Sequence, residues 1–315
     1  MSVSISTYAG NLGWMARKYL PFISSDAYLR LQYIKRRKVS QEYIDFFCES
    51  KEKPQPLNIL IETINRCNST CSFCAANRNN ENRPFCRMEK ELFYRIVSQI
   101  ADWDYSGYIS LFVNNEPFMD TRIIEFHKYI RERLPKAKIK VFTNGLLLNC
   151  EKFKEIAPYT DLFIINNYCD NRKMHPNIAE LYDYLKRNPS IHENIDVQIK
   201  IRFIGEVLTN RAGTAPNKKE SKSVIKEPCL FPYTDMVIYP DGKVGICCCD
   251  VKEVTNLGNA NEETIQQIWK GKKYENLRLK LKEGRQGNKF CEHCDFVDTG
   301  LRVRLAKKVS RGRGE

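Results

Sequence analysis

The chain has 315 residues, 42% of them hydrophobic and 28% charged, with a net charge of +13 and 13 cysteines. At roughly 150 residues per domain, this length suggests about two domains with a real core. The composition excludes a disordered chain, no apolar run approaches the roughly 18 residues of a membrane span, and the N-terminus lacks a secretory signal pattern.

The chain is therefore expected in the cytoplasm, where many cysteines argue for metal or redox chemistry and against a disulfide framework. The charge first suggests nucleic acid or an anionic membrane. It is unevenly spread, however: residues 1–53, 208–227 and 301–315 hold twelve of the thirteen net positive charges.

Residues 1–53 read as a basic, mainly helical extension. Trp14, Met15, Tyr19 and Leu20 share one face, and Leu29, Tyr33 and Ile34 another. Such a segment packs on the core or contacts a membrane surface or a partner. Residues 54–207 form the next unit. Strand-like runs at 57–63, 108–113, 138–143, 161–166 and 195–203 alternate with helical patterns near 88–101, 120–134, 151–157 and 176–188. That alternation predicts an α/β fold, a parallel sheet of five strands, with a sixth not placed, and helices outside it.

Residues 208–227 are polar and read as a linker. Residues 228–300 form a small cysteine-rich domain: a β-hairpin around Pro240-Asp-Gly242, then a helix over 262–283. Residues 301–315 read as a basic tail, solvated and flexible.

Three cysteines, Cys67-x3-Cys71-x2-Cys74, follow the first strand directly. A short loop at the C-terminal end of a parallel strand is where α/β enzymes place their chemistry. Three thiolates can hold an iron–sulfur cube with one iron left open, whereas a structural zinc site uses four ligands; Cys86 is close enough to supply a fourth. Phe73 stands where an aromatic can pack beside a cofactor.

Cys67-Asn-Ser-Thr-Cys71-Ser-Phe-Cys74 resembles the CxxxCxφC signature of the radical SAM superfamily. Asn114-Asn115-Glu116-Pro117 after the second strand resembles that family's Gly-Gly-Glu motif, and Thr143-Asn144-Gly145 after the third its Thr-Asn-Gly turn. The resemblance spans about residues 55–205 and implies a partial (β/α) TIM-like barrel of five to six parallel strands. It also implies a [4Fe–4S] cluster on Cys67, Cys71 and Cys74 that binds S-adenosyl-L-methionine (SAM) and cleaves it reductively to a 5′-deoxyadenosyl radical. That radical then abstracts hydrogen from a substrate.

By the same resemblance Glu116 helps hold the SAM amino group, Thr143 and Asn144 lie near the adenosine, and Asn115 and Pro117 belong to the same loop. Asn114 and Asn115 replace the usual glycines; Asn is the side chain that best tolerates positive φ. Asn166, where a serine is common, is a further SAM contact. Arg202 either meets the SAM carboxylate or is a surface arginine.

Four more cysteines, Cys229, Cys247, Cys291 and Cys294, lie in the C-terminal domain, with Cys248 and Cys249 adjoining the second. By spacing alone they fit zinc or an iron–sulfur cluster equally. Beside the first motif they resemble the SPASM and twitch auxiliary-cluster domains. The single-cluster twitch form fits best, because no cysteine follows Cys294. The spacing is particularly similar to that of 2-deoxy-scyllo-inosamine dehydrogenases, which oxidise an alcohol to a ketone. Cys48, Cys86, Cys150 and Cys169 carry no motif and read as small buried residues.

The resemblance implies a radical SAM oxidoreductase with two [4Fe–4S] clusters. The auxiliary cluster accepts an electron from a small-molecule alcohol: a sugar, an aminocyclitol or a nucleotide-linked sugar. Arg211, Asp235 and Asp250 are candidate proton acceptors by location. A flavodoxin or ferredoxin is the implied electron donor. The alternatives are a maturase of a ribosomally made peptide, for which residues 1–53 look too short and too helical, and a non-catalytic metal- or nucleic-acid-binding protein. No specific nucleic-acid contact is expected, since the basic ends lack an aromatic–basic recognition motif.

Overall fold

The structure is a computed structural model that describes residues 3–7, 38–79, 81–171, 173–218, 228–296 and 301–311. Its frame is one open nine-stranded sheet. The strands are β1 (Ser4–Thr7), β2 (Asn58–Ile61), β3 (Tyr108–Ser110), β4 (Lys138–Thr143), β5 (Leu162–Cys169), β6 (Asp196–Phe203), β7 (Asp235–Ile238), β8 (Lys243–Gly245) and β9 (Gly258–Asn259). The spatial order is β1-β6-β5-β4-β3-β2-β7-β8-β9. Seven strands, β1 to β7, run parallel, and β8 and β9 add an antiparallel edge.

The five predicted strands are all present. Two more join them in parallel. β7, read from sequence as half of a separate hairpin, pairs with β2 from Asn58↔Asp235 to Ile61↔Ile238. β1 pairs with β6 at the other edge, so the extension is not helical throughout. The Trp14-to-Ile34 faces lie outside the described residues. Residues 38–49 are helical (α1) and bury Tyr43, Ile44 and Phe47; the Phe47 ring packs edge-on against Tyr233 and Trp269.

Alternation along each strand separates two faces. The outward residues Ile59, Ile61, Ile109, Ile139, Val141, Phe163, Ile165, Val197 and Ile199 join the main core. The helices α2 (Lys90–Asp102), α3 (Ile123–Arg133), α4 (Cys150–Ile156) and α5 (Pro176–Arg187) cover them. In α2 the buried residues Leu92, Phe93, Ile96, Val97 and Ile100 fall at helical spacing, and Phe93 stacks on Phe126 of α3 at 3.9 Å.

The C-terminal part continues the sheet. The helix expected over 262–283 divides at Gly271 into α6 (Ile265–Lys270) and α7 (Lys272–Lys282). The basic tail is also corrected: residues Leu301–Arg311 form a helix, α8, that buries Val303 and Ala306. Its Arg302 pairs with Asp235 at 2.6 Å. No described helix is long and apolar enough to cross a membrane.

Candidate active site

Because β2 to β6 are parallel, the loops leaving their C-terminal ends share one edge of the sheet. The loop after β2 carries Cys67, Cys71 and Cys74. Asn77 braces it by donating to the carbonyls of Cys71 (2.8 Å) and Cys74 (2.9 Å). Ser69 lies 3.0 Å from the Cys71 sulfur. Burial, with the other two thiols adding to it, pushes Cys67 up to about 12; burial pushes Cys71 up to about 11. Three thiols gathered on one short loop, with Cys67 and Cys71 desolvated, are suited to a cationic metal cluster.

The loop after β3 meets the loop after β4 through Glu116. This buried carboxylate accepts from Thr143 Oγ1 (2.6 Å), Asn144 N (2.8 Å) and Phe118 N (3.2 Å). Burial lifts it to about 7. Glu116 thus fastens one motif to the other, and Pro117 opens the turn of helix that follows it. Asn144 reaches the cysteine loop, donating to Asn68 at 2.8 Å and lying 3.8 Å from the Cys67 sulfur. Gly145 has φ +78°, and a Cβ there would stand 2.6 Å from Ile178, so the turn requires glycine.

On β5 and β6, Phe73 packs on Tyr168 at 5.4 Å. Arg202 lies over the same tyrosine ring and pairs with Glu206. Asn166 is 1% exposed, and neither its amide nitrogen nor its oxygen has a partner; the amide nitrogens of Asn114 and Asn115 are also unengaged. Unmet donors and an acceptor around buried thiols fit a polar cofactor at this edge. The residues present therefore fit a SAM-binding cluster on Cys67, Cys71 and Cys74.

The second cysteine set lines one pocket, in which Cys229, Cys247, Cys249, Cys291 and Cys294 stand among apolar side chains and Arg285. Five thiols facing one apolar pocket suit an iron–sulfur cluster. Arg285 donates to the carbonyls of Cys294 and Phe296 and puts positive charge beside the thiols. Cys294, a free thiol, is drawn down to about 6 by a hydrogen bond from the Cys249 thiol and then by Arg285. Hydrogen bonding with the neighbouring thiols of Cys247, Cys248 and Cys294 holds the Cys249 proton on, raising its pKa.

Sequence spacing favours Cys247 in this triplet, through Gly242-x4-Cys247, but leaves the choice among the three open. The structure turns both Cys247 and Cys249 to the pocket and leaves Cys248 packed with Leu60, Val113, Val237 and Tyr239 inside the barrel.

The three candidate proton acceptors separate clearly. Asp235 stands at the opposite end of the sheet, beside Asn58, paired with Arg302. Asp250 caps a turn, accepting from Val254 N, Thr255 N and the Thr255 hydroxyl. Arg211 lies between the two cysteine sets. It donates to Asn114 Oδ1 (2.7 Å) and the Cys248 carbonyl (2.8 Å), and its buried Nε has no partner. Burial would lower its pKa, yet Cys74, Cys249, Cys248 and Cys247 hold it above its usual value.

The segment carrying Arg211 is no loose linker. Asn210 is fully buried, donating through its backbone to Asp295 Oδ1 and through its side chain to the His293 carbonyl. Arg211 and Ala212 both adopt positive φ (48° and 54°), a conformation that costs non-glycine residues energy and is found at functional sites. Here it aims the Ala212 N–H at Cys294 while Arg211 points into the barrel.

Comparison with known proteins gives the geometry its family. Residues 61–168 match the radical SAM superfamily model, and residues 229–295 match an iron–sulfur cluster-binding domain, SPASM. The chain carries a radical SAM domain. A curated relative from Niallia circulans, S-adenosyl-L-methionine-dependent 2-deoxy-scyllo-inosamine dehydrogenase, is 25% identical over 76% of this chain and 92% of its own.

Among solved structures, BtrN in complex with AdoMet and 2-DOIA is 25% identical, with a TM-score of 0.67 over 78% of this chain and 95% of BtrN. Native anSMEcpe with bound AdoMet shares the fold at 15% identity, with a TM-score of 0.50 over 81% of this chain and 96% of its own. The cofactors of a radical SAM domain are a [4Fe–4S] cluster and SAM. Both domains lie on one continuous sheet here.

Proposed function

We propose that this radical SAM protein dehydrogenates the alcohol carbon of a small polar substrate held in the barrel between its two cysteine sets. The observation that carries this reading is Arg211, which donates to Asn114 after β3 at 2.7 Å and to the Cys248 carbonyl at 2.8 Å and so ties the two halves of the site. Likeness to the Niallia circulans dehydrogenase supports it. When bound, SAM with the first cluster supplies the hydrogen-abstracting radical, and the auxiliary cluster supplies an acceptor for the remaining electron.

The chain's own residues position these parts. Cys67, Cys71 and Cys74 would hold the first cluster. Cys229, Cys291, Cys294 and one of Cys247 or Cys249 would hold the second. Asn115, Asn166, Arg202 and the Glu116–Thr143–Asn144 tie would seat SAM beside Phe73. Arg211, cationic as arginines are at any working pH, serves as a donor to the substrate oxygen, and the hydroxyl proton leaves to water. Asp235 and Asp250 have structural roles.

We extend the reading to a cytoplasmic location, where the thirteen free cysteines are at home, and to a flavodoxin or ferredoxin as electron source.

Anaerobically loaded enzyme with dithionite and SAM is expected to release 5′-deoxyadenosine. It is also expected to acquire deuterium in that product from a carbinol-deuterated sugar or aminocyclitol. No release overturns the enzyme reading; deuterium transfer from a peptide panel alone replaces it with a maturase.

A further inference from the structure

The inner face of the barrel differs from the outer. Ile59, Ile61, Phe163 and Ile165 on the outside are all 0% exposed, whereas the inward Leu60, Leu162 and Ile164 are 8–9% exposed. The inward side chains of Tyr108, Phe142, Lys140, Gln198 and Lys200 are half-buried, so this part of the inner face is less tightly packed than the outer one.

Lys140 projects from that face on β4, its ammonium 5.8 Å from the centre of the Tyr108 ring. It has no carboxylate within ion-pair distance among the described residues. Asp235, the acid that influences it most, is bridged by Arg302 of α8. The ladder Tyr108↔Lys138 and Ile109↔Ile139 sets Ser110 opposite Lys140. The Ser110 hydroxyl is 1% exposed and has no hydrogen-bond partner. Lys140 lies within electrostatic reach of Cys248, whose carbonyl binds Arg211. Cys248 therefore lies between Arg211 and Lys140 on the inner wall.

We propose that the substrate carries a phosphate group, seated against Lys140, Ser110 and Tyr108 in the lower barrel. An ammonium and two hydroxyls on adjacent strands offer donors from several directions, which suits an anion with several oxygens better than a neutral sugar. Burial draws the Lys140 ammonium down to about 8; Asp235 opposes that fall, and Arg302 and then the Cys248 thiol are the other groups facing it. On β6, Lys200 feels burial first, then Arg202, with Asp196 opposing them and Arg304 of α8 adding to them. An amine such as the inosamine named for the Niallia relative would meet repulsion here. This inference rests on the dehydrogenase reading for the placement of the hydroxyl, but its test does not.

The test is titration calorimetry of the cluster-loaded enzyme with SAM, using inorganic phosphate, acetate, glucose 1-phosphate and UDP-glucose in turn. Phosphate is expected to bind at least about tenfold more tightly than acetate. Lys140→Gln should lose about tenfold or more in phosphate affinity, Ser110→Ala several-fold, and Lys140→Arg should restore most of it. Lys128→Gln, on the exposed face of α3, should bind as the parent does.

The tighter of the two sugar compounds distinguishes a monoester from a diphosphate-linked substrate. Phosphate binding that is absent, matched by acetate or indifferent to Lys140→Gln overturns the site, even when 5′-deoxyadenosine is formed. Phosphate binding that depends on Lys140 upholds the site, even when no 5′-deoxyadenosine appears and the dehydrogenase reading falls.

Discussion

Arg83 shows how a single residue joins the two halves of the site. Its guanidinium meets Glu62 at 3.3 Å, Glu81 at 2.6 Å and Glu253 at 2.8 Å, and Glu62 is wholly buried. Glu253 follows the Cys247–Cys249 triplet, and Glu81 follows the first cysteine loop. Burial lifts Glu62 to about 7 even with Arg83 beside it.

Arg83→Ala strands a buried carboxylate, a loss of about 3–5 kcal/mol for such pairs. The sign of the pH effect follows: protonated Glu62 needs no cation, so the loss is expected to be smaller at pH 6 than at pH 8. Thermal melting of the loaded protein at both values checks it, and Glu62→Gln in the Arg83→Ala background should recover part of the loss.

The same residue marks the limit of reading single positions from sequence. Cys67, Cys71 and Cys74 are visible because eight consecutive residues hold them. Arg83 is visible only as a neighbour of Glu81; its role as a link is hidden because Glu62 and Glu253 lie 21 and 170 positions away. Asn77 and Cys249 are similar cases, placed by a folded loop.

At the level of elements, strands β2 to β6 were legible because each is an apolar run in a repeating strand–helix pattern. β1 was not, because Ser4-Ile-Ser-Thr7 is short and polar and exists through its pairing with β6. β7 was read as a hairpin strand since Pro240-Asp-Gly242 does make that turn; its parallel partner β2 is far off in sequence. The 262–283 helix divides because Gly271 ends α6 with extended backbone and starts α7.

With only six residues, α6 depends on its start. Thr264 Oγ1 accepts from Gln267 N at 3.2 Å, while the Gln267 side chain accepts from Thr264 N at 2.9 Å. Thr264→Ala should destabilise the protein by about 1 kcal/mol. The check is a lowered melting temperature with iron content unchanged. An unchanged melting temperature would mean that burial of Ile265, Ile268 and Trp269, with the 2.8 Å bond from Trp269 to the Pro54 carbonyl, holds the helix alone.

Across the whole molecule, one sheet carries both cysteine sets, yet each set is built from its own loops. The first depends on the loop after β2, braced by Asn77 and Asn144. The second depends on the segments around Cys229, Cys247–Cys249 and Cys291–Cys294, braced by Asn210 and Arg285. The contacts between them, Arg83 to Glu253 and Arg211 to Asn114 and Cys248, come from side chains that are not cysteines.

The two sites should therefore fill independently. Replacing Cys67, Cys71 and Cys74 together with alanine is expected to remove about half of the bound iron and all SAM cleavage. Replacing Cys291 and Cys294 should remove the other half and leave SAM cleavage in place while stopping oxidation of the substrate. Iron counting with 5′-deoxyadenosine analysis on the two variants checks this. Loss of both halves from either variant would mean that the sheet transmits the vacancy, and that Arg83 and Arg211 couple the loading of one site to the other.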